Sequence, residues 1–228
     1  MEALEQLKKE LNSSKDLQVV FYKFSQKLMN EYYLQIGDEK IELCEIEFYY
    51  NDEDKHHDKK TLNNLLQKET GNLFFHEYGM DITFGEKNYY GGILIRGIKY
   101  KCNYVGGPSN VVEYLKVNIS DLYNKKINLV EKEKSNYLIL VSIRKMGEKE
   151  KIDYLNYLYR FIREDYAQMP TKCFYKRSLP MLPLARAIST LTNITNKFEK
   201  QISVQKEIEK IKQNKDLLKN IQTFKDNL

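Results

Sequence analysis

Glu45, Glu47 and Tyr49 fall at alternate positions within the stretch "ELCEIEFYYNDEDKHH", Glu42 to His57. In an extended chain that spacing puts all three on one face, with Ile46, Phe48 and Tyr50 on the other. A carboxylate beside an aromatic ring suits one chemistry well. The acid can activate a water for attack at a sugar carbon with oxocarbenium character, while the ring stacks on a base. The plainer alternative is a half-exposed edge strand with a solvated acidic side. Glu42, three before Glu45, is expected on the opposite face.

His56, His57 and His76 are all the histidines of the chain, and they lie within 21 positions. H-E-x-x-H is absent, and further metal ligands would have to come from Asp or Glu on a separate strand. The expectation is therefore hydrogen-bond donors in a pocket, or a wet loop, with no metal and no cofactor. Arg96 ends the apolar run "ILIR". An arginine there is either an edge residue or a buried charge with a carboxylate or phosphate partner. Asp81 and Glu77 are the candidate partners within the chain.

The elements that must hold these residues can be read from periodicity. Leu4, Leu7 and Leu11 share a helical face, as do Leu17, Val20, Phe21, Phe24 and Leu28, which predicts helices over 1–12 and 16–30. "SSKD" between them is turn-like and suited to capping the second. Strands are expected at about 40–50, 71–77, 80–86, 91–100 and 136–145, with "GGILIRGIKY" (91–100) the clearest. A glycine turn with Pro108 and Ser109 opens a short helix through Leu115. Residues 150–165 read as a helix. Leu184 to Leu228 read as one long helix or two, with a register slip near Ile202 to Val204.

The 228 residues suit one domain, or one domain plus an extension. Cys44, Cys102 and Cys173 are widely spaced and form no C-x-x-C, which fits a reducing cytosol and a cytoplasmic protein. The first sixteen residues are polar and amphipathic rather than a secretory leader. No apolar run approaches a membrane span, so no membrane association is expected. The net charge of +5 is uneven: Thr171 to Leu228 carries +7 and the remainder −2. A basic tail points to an anionic partner, nucleic acid above all, or else to a solvated helix.

Taken in order, "EIEFY" (45–49), "DKHH" (54–57), "GNLFFHEYGM" (71–80), "GGILIRGI" (91–98) and "GPSNVVEYLKV" (107–117) resemble the alkyladenine (3-methyladenine) DNA glycosylase family. "VSIRK" and "YLYRF" (157–161) echo that family's last strand and its arginine-aromatic segment. The resemblance covers about residues 40–165. It implies an α+β fold: a single mixed domain with a curved antiparallel β-sheet core surrounded by helices. That domain would occupy 37–170, with N-terminal helices over 1–36 and a basic helical C-terminal extension over 171–228.

The same resemblance implies a monofunctional DNA-N-glycosylase that flips a modified base out of the duplex, hydrolyses its glycosidic bond and leaves an abasic site. Glu47 matches the acid that activates the water. Tyr49 matches a wall of the base sandwich, and His57 or its neighbour His56 the histidine that stacks on or bonds to the base. His76 stands where the family has a stacking tyrosine, and Arg96 matches an arginine near the site and the DNA backbone. Phe84 is the candidate wedge into the emptied stack. "GPSN" replaces G-P-G-K, which leaves Ser109 near the expected phosphate contact. Lys176, Arg177 and Arg186 of the tail add sequence-independent affinity for DNA. Two alternatives are a module on the same fold that binds nucleotides or modified nucleic acid without cleaving it, and self-association through the C-terminal helices.

Overall fold

The computed structural model describes residues 2–14, 16–142, 144 and 158–168. Lys176, Arg177, Arg186 and the expected C-terminal helices lie outside them. The described chain is α+β, with a curled antiparallel half-barrel sheet and a few helices.

Helices α1 (Glu2–Ser13) and α2 (Leu17–Glu31) form where the apolar spacing predicts them. Asp16 caps α2, its side chain accepting from the Val19 amide at 3.2 Å. The strands are β1 (Tyr32–Ile36), β2 (Glu39–Asp52), β3 (Thr70–His76), β4 (Gly79–Phe84), β5 (Tyr89–Tyr100), β6 (Asn103–Gly106), β7 (Ile127–Glu131), β8 (Ile139–Ser142) and β9 (Arg160–Arg163). Helix α3 (Pro108–Asn118) follows β6, with Pro108 in its first turn. A short α4 (Glu164–Ala167) follows β9.

The sheet runs β3-β4-β5-β2-β1-β7, with β6 on β5, and with β9 on β2 and β8. Strand β2 is therefore interior, paired with β5 along one side and with β1 and β9 along the other. This rules out the solvated edge-strand alternative: Glu45 is 3% and Glu47 1% exposed.

A β-bulge at Glu45 corrects the placement of Glu42. The pairing with β5 shifts register on both sides of Glu45. Ile41 and Leu43 before the bulge join the same core as Ile46, Phe48 and Tyr50 after it. The extra residue switches the parity of the strand, so Glu42 and Cys44 end on the face of Glu45, Glu47 and Tyr49. There Glu42 pairs with Arg163 at 2.6 Å, and Cys44 packs with Ile162 and Tyr166.

The core is aromatic. Phe21 of α2 stacks on Phe48 of β2 with ring centroids 4.4 Å apart, and Tyr50, Phe84 and Phe161 surround the pair. Phe84 is fully buried there. Its ring fills the interior between α2 and the sheet, so it does not serve as a wedge at the surface. Of the segment read as helical over 150–165, residues 150–157 lie outside the described ones, and Arg160–Arg163 form strand β9 instead. Its two arginines flank Phe161 and Ile162, and they find acidic partners on β2. Among the described residues no helix is long and apolar enough to cross a membrane.

Candidate functional site

Four charged side chains meet on the face of β2 turned away from the aromatic core. Arg96 donates from Nε to Glu45 Oε1 at 3.1 Å and from one terminal nitrogen to Glu47 Oε2 at 3.3 Å. Arg160 donates from Nε to the same Glu45 oxygen at 2.7 Å, and a terminal nitrogen also pairs with it. Two acids and two arginines thus balance in a nearly dry setting, which buried charges require. Burial opposes charge on Arg96, but Glu47 and Glu45 outweigh it, and the affinity of Arg96 for its proton is raised. Arg96 is thus a buried charge, paired not with Asp81 or Glu77 but with the two glutamates. So held, its Nε and one terminal nitrogen are committed to the two glutamates.

Glu47 has a third neighbour. The Tyr49 hydroxyl donates to its Oε2 at 2.8 Å. The other oxygen, Oε1, is buried and accepts no hydrogen bond; its nearest cationic contact is Arg160 Nε at 3.7 Å. A buried acceptor left this way is uncommon and calls for an explanation. Burial, then the Glu47 charge, push the Tyr49 hydroxyl well above the usual tyrosine range, so it remains a donor.

Beside this network lies a cavity of about 390 Å³, within the size range of small-molecule sites. Tyr49, His76 and Tyr78 give it aromatic surface, Leu94 an apolar one, Gln67 and Asp81 a polar one. Lys59, Lys60, Thr61 and Leu62 of the loop after β2 complete it. Glu47 does not line it; the Tyr49 side chain stands between.

The sheet register explains how these parts meet. Asp81 of β4 pairs with Leu94 of β5, Leu94 with Glu47 of β2, and Glu47 with Arg160 of β9. The four stand in one line across four strands, so Asp81 and Glu47 are two strand spacings apart, roughly 10 Å. In the next line Gly92 faces Tyr49. A Cβ at Gly92 would come within 2.5 Å of Asp81 Oδ2 and 3.0 Å of Gln67 Nε2, so the missing side chain makes room for that pair.

Asp81 is 2% exposed and accepts two hydrogen bonds, from His76 Nε2 at 3.0 Å and from Gln67 Nε2 at 3.2 Å. Burial pushes its carboxyl up, while the His76 and Gln67 donors pull the other way.

His76 therefore belongs to the cavity, but as an Asp81 partner as well as an aromatic surface. His56 and His57 do not close it. His56 stacks on Tyr50, on the opposite face of β2, with ring centroids 5.8 Å apart. Burial holds its pKa down at about 4. His57 is exposed and lies outside the cavity wall. Among the described residues no three His, Cys, Asp or Glu side chains are grouped as metal ligands. Ser109 is exposed at the start of α3, where neighbouring Pro108 packs over Gly79, the residue after Tyr78.

Several participants have no signal in the local sequence. Asp58 and Arg144 form a bidentate pair at 2.7 and 2.9 Å, and Arg144 also donates to the Phe48 carbonyl. Gln67 sits in a capping box on the turn Leu65–Lys68. Only the glycine pair in "YYGGILIR" hinted at a close approach.

Comparison of the chain with protein-family models, with curated proteins and with solved structures finds no match to any of them.

Proposed function

We propose that this protein is a monofunctional DNA glycosylase with an alkyladenine glycosylase-like fold. A modified base rotates out of the duplex into the cavity bounded by Tyr49, His76, Tyr78 and Asp81. As the bond from C1′ to the base nitrogen breaks, its electron pair leaves with the base. The sugar gains oxocarbenium character, and a water attacks C1′ while Glu47, uncovered as the Tyr49 side chain turns aside, takes up its proton. An abasic site remains. The observation that supports this most is Glu47 itself: one oxygen fixed by Tyr49 and Arg96, the other buried without a hydrogen bond. Lys59 and Lys60 at the cavity bring positive charge to where a phosphate would pass.

The test is the variant Glu47→Gln, assayed on duplexes that carry different modified bases, with released base measured by mass. Base release falls at least a hundredfold while duplex binding changes less than threefold. Abasic sites forming at the wild-type rate would remove Glu47 from this role.

A second reading has its own observation. Glu47 is 1% exposed and stands behind Tyr49, inside a charge-balanced group of four. That arrangement also suits a module that captures a nucleotide or modified nucleic acid without cleaving it. Stoichiometric uptake with no abasic product from any duplex would favour this reading.

A further inference from the structure

The cavity has a polar wall of fixed polarity. Asp81 Oδ1 receives His76 Nε2, and the direction of that bond follows from the rest of the ring. His76 Nδ1 accepts the Tyr78 amide at 3.3 Å, so the proton of the neutral ring sits on Nε2. Gln67 is oriented the same way: its Oε1 accepts the Asn64 amide at 3.2 Å, which turns its amide nitrogen to Asp81 Oδ2. Both neighbours thus donate to Asp81. A carboxylate has about four lone-pair sites, so each oxygen keeps acceptor capacity after taking one bond. The imidazole N–H is already used.

From this polarity we infer that Asp81 is a specificity-determining residue, which selects a planar heterocycle that presents an amino group or a ring N–H, and rejects the one that presents a carbonyl oxygen at the same position. Three features support it. Tyr49, His76 and Tyr78 make the cavity fit for a flat ring. Asp81 is almost fully buried, so a bond to it forms where water competes poorly. Gly92 leaves the space that lets the Asp81–Gln67 pair sit flush with the sheet. A carbonyl oxygen facing Asp81 would set acceptor against acceptor with no solvent between them, and sites built around one hydrogen bond reject the analogue lacking it strongly.

The inference rests on the cavity being a base pocket. It does not require that the base be released.

Deamination pairs test it: they exchange an amino group for a carbonyl, and a methyl on the neighbouring ring nitrogen removes the N–H that deamination also creates. Full-length protein at pH 8 is titrated with 9-methyladenine against 1,9-dimethylhypoxanthine, and with 1-methylcytosine against 1,3-dimethyluracil, followed by saturation-transfer NMR. The amino member of each pair binds at least tenfold more tightly. Asp81→Asn, whose carboxamide can turn a donor towards a carbonyl, narrows that preference to less than threefold or reverses it. Equal binding within the wild-type pairs overturns the inference, as does no binding of any of the four. A preference that survives unchanged in Asp81→Asn also overturns it. If Asp81→Asn does not fold, the wild-type pairs alone decide. Amino preference that depends on Asp81, with no base release from any duplex, would leave the inference standing and remove the glycosylase. Glu47-dependent base release without amino preference would do the reverse.

Discussion

The guanidinium of Arg144 lies over the ring of Tyr49, 4.5 Å from its centroid, while both of its terminal nitrogens hold Asp58. One arginine therefore ties the loop after β2 to the residue that separates Glu47 from the cavity. Asp58 extends the tie, accepting from the Lys60 amide at 3.1 Å, beside Thr61 of the cavity wall. The Arg144 hydrogen bond and charge hold the Asp58 carboxyl below the usual range against the opposing effect of burial.

Asp58→Ala leaves Arg144 buried without its acid. A loss of about 3–5 kcal/mol of stability is expected, the usual cost of breaking a buried pair. Urea denaturation measures it, and Asp58→Asn loses less because one acceptor oxygen remains. Equal stability of Asp58→Ala and wild type would show the pair to be unimportant.

Gly92→Ala tests the packing beneath the cavity. Its Cβ would overlap Asp81 Oδ2 and crowd Gln67 Nε2. Overpacking of this kind costs about 1–3 kcal/mol, and relief requires Asp81 or Gln67 to move. The variant melts several degrees lower and binds 9-methyladenine more weakly. Unchanged melting and unchanged binding together would mean that the Asp81–Gln67 pair is not confined by Gly92.

The third prediction concerns pH. His56 sits against Tyr50 and Tyr159, and burial lowers its pKa from 6.5 to about 4, with Arg144 and His57 adding to the effect and Asp58 and Asp52 opposing it. A folded pKa below the unfolded one means that the unfolded chain binds the extra proton. Stability is whole above pH 6.5 and is lost as pH falls towards 4. The part due to His56 amounts to about 3 kcal/mol at most. His56→Phe keeps a ring against Tyr50 and removes the titration. Between pH 7 and pH 4.5 it should lose about 2 kcal/mol less than wild type in urea denaturation, the carboxylates contributing equally to both. Identical losses would mean that His56 is not buried as a neutral ring.

Much of the fold could be read from local pattern, and much of the site could not. Alternation along "CEIEFYY" and the β-branched core of "ILIR" identify β2 and β5, because burial on one face imposes a period of two. The same alternation puts Glu45, Glu47 and Tyr49 together. It cannot show the bulge, since an inserted residue leaves no mark on either flanking pattern; hence the reversal of Glu42. Nor can it show what Arg96 meets, because the register between strands some fifty residues apart is set by the whole sheet. Strand β9 was hidden for a related reason. "RFIR" beside "YLNYLY" has the look of an amphipathic helix until Glu42 and Glu45 supply the charges that let its arginines enter a sheet. His56 misled differently: a histidine beside an acidic loop suggests a wet site, whereas the bridge between Asp52 and His56 folds it back over Tyr50.

Arg160 reaches Glu45 across 115 positions of chain. During synthesis on the ribosome, β2 and β5 emerge first and can pair while β9 is still unmade. In that interval Arg96 is the one arginine of the buried group available to its two carboxylates. The nascent sheet would then carry an excess negative charge on the face where the cavity forms, and that face would stay hydrated. Arrival of β9 supplies the missing cation and allows the face to dry. The bond between Arg160 and Glu45 is in this sense a completion contact, by which the last of the described strands neutralises the acidic face of β2.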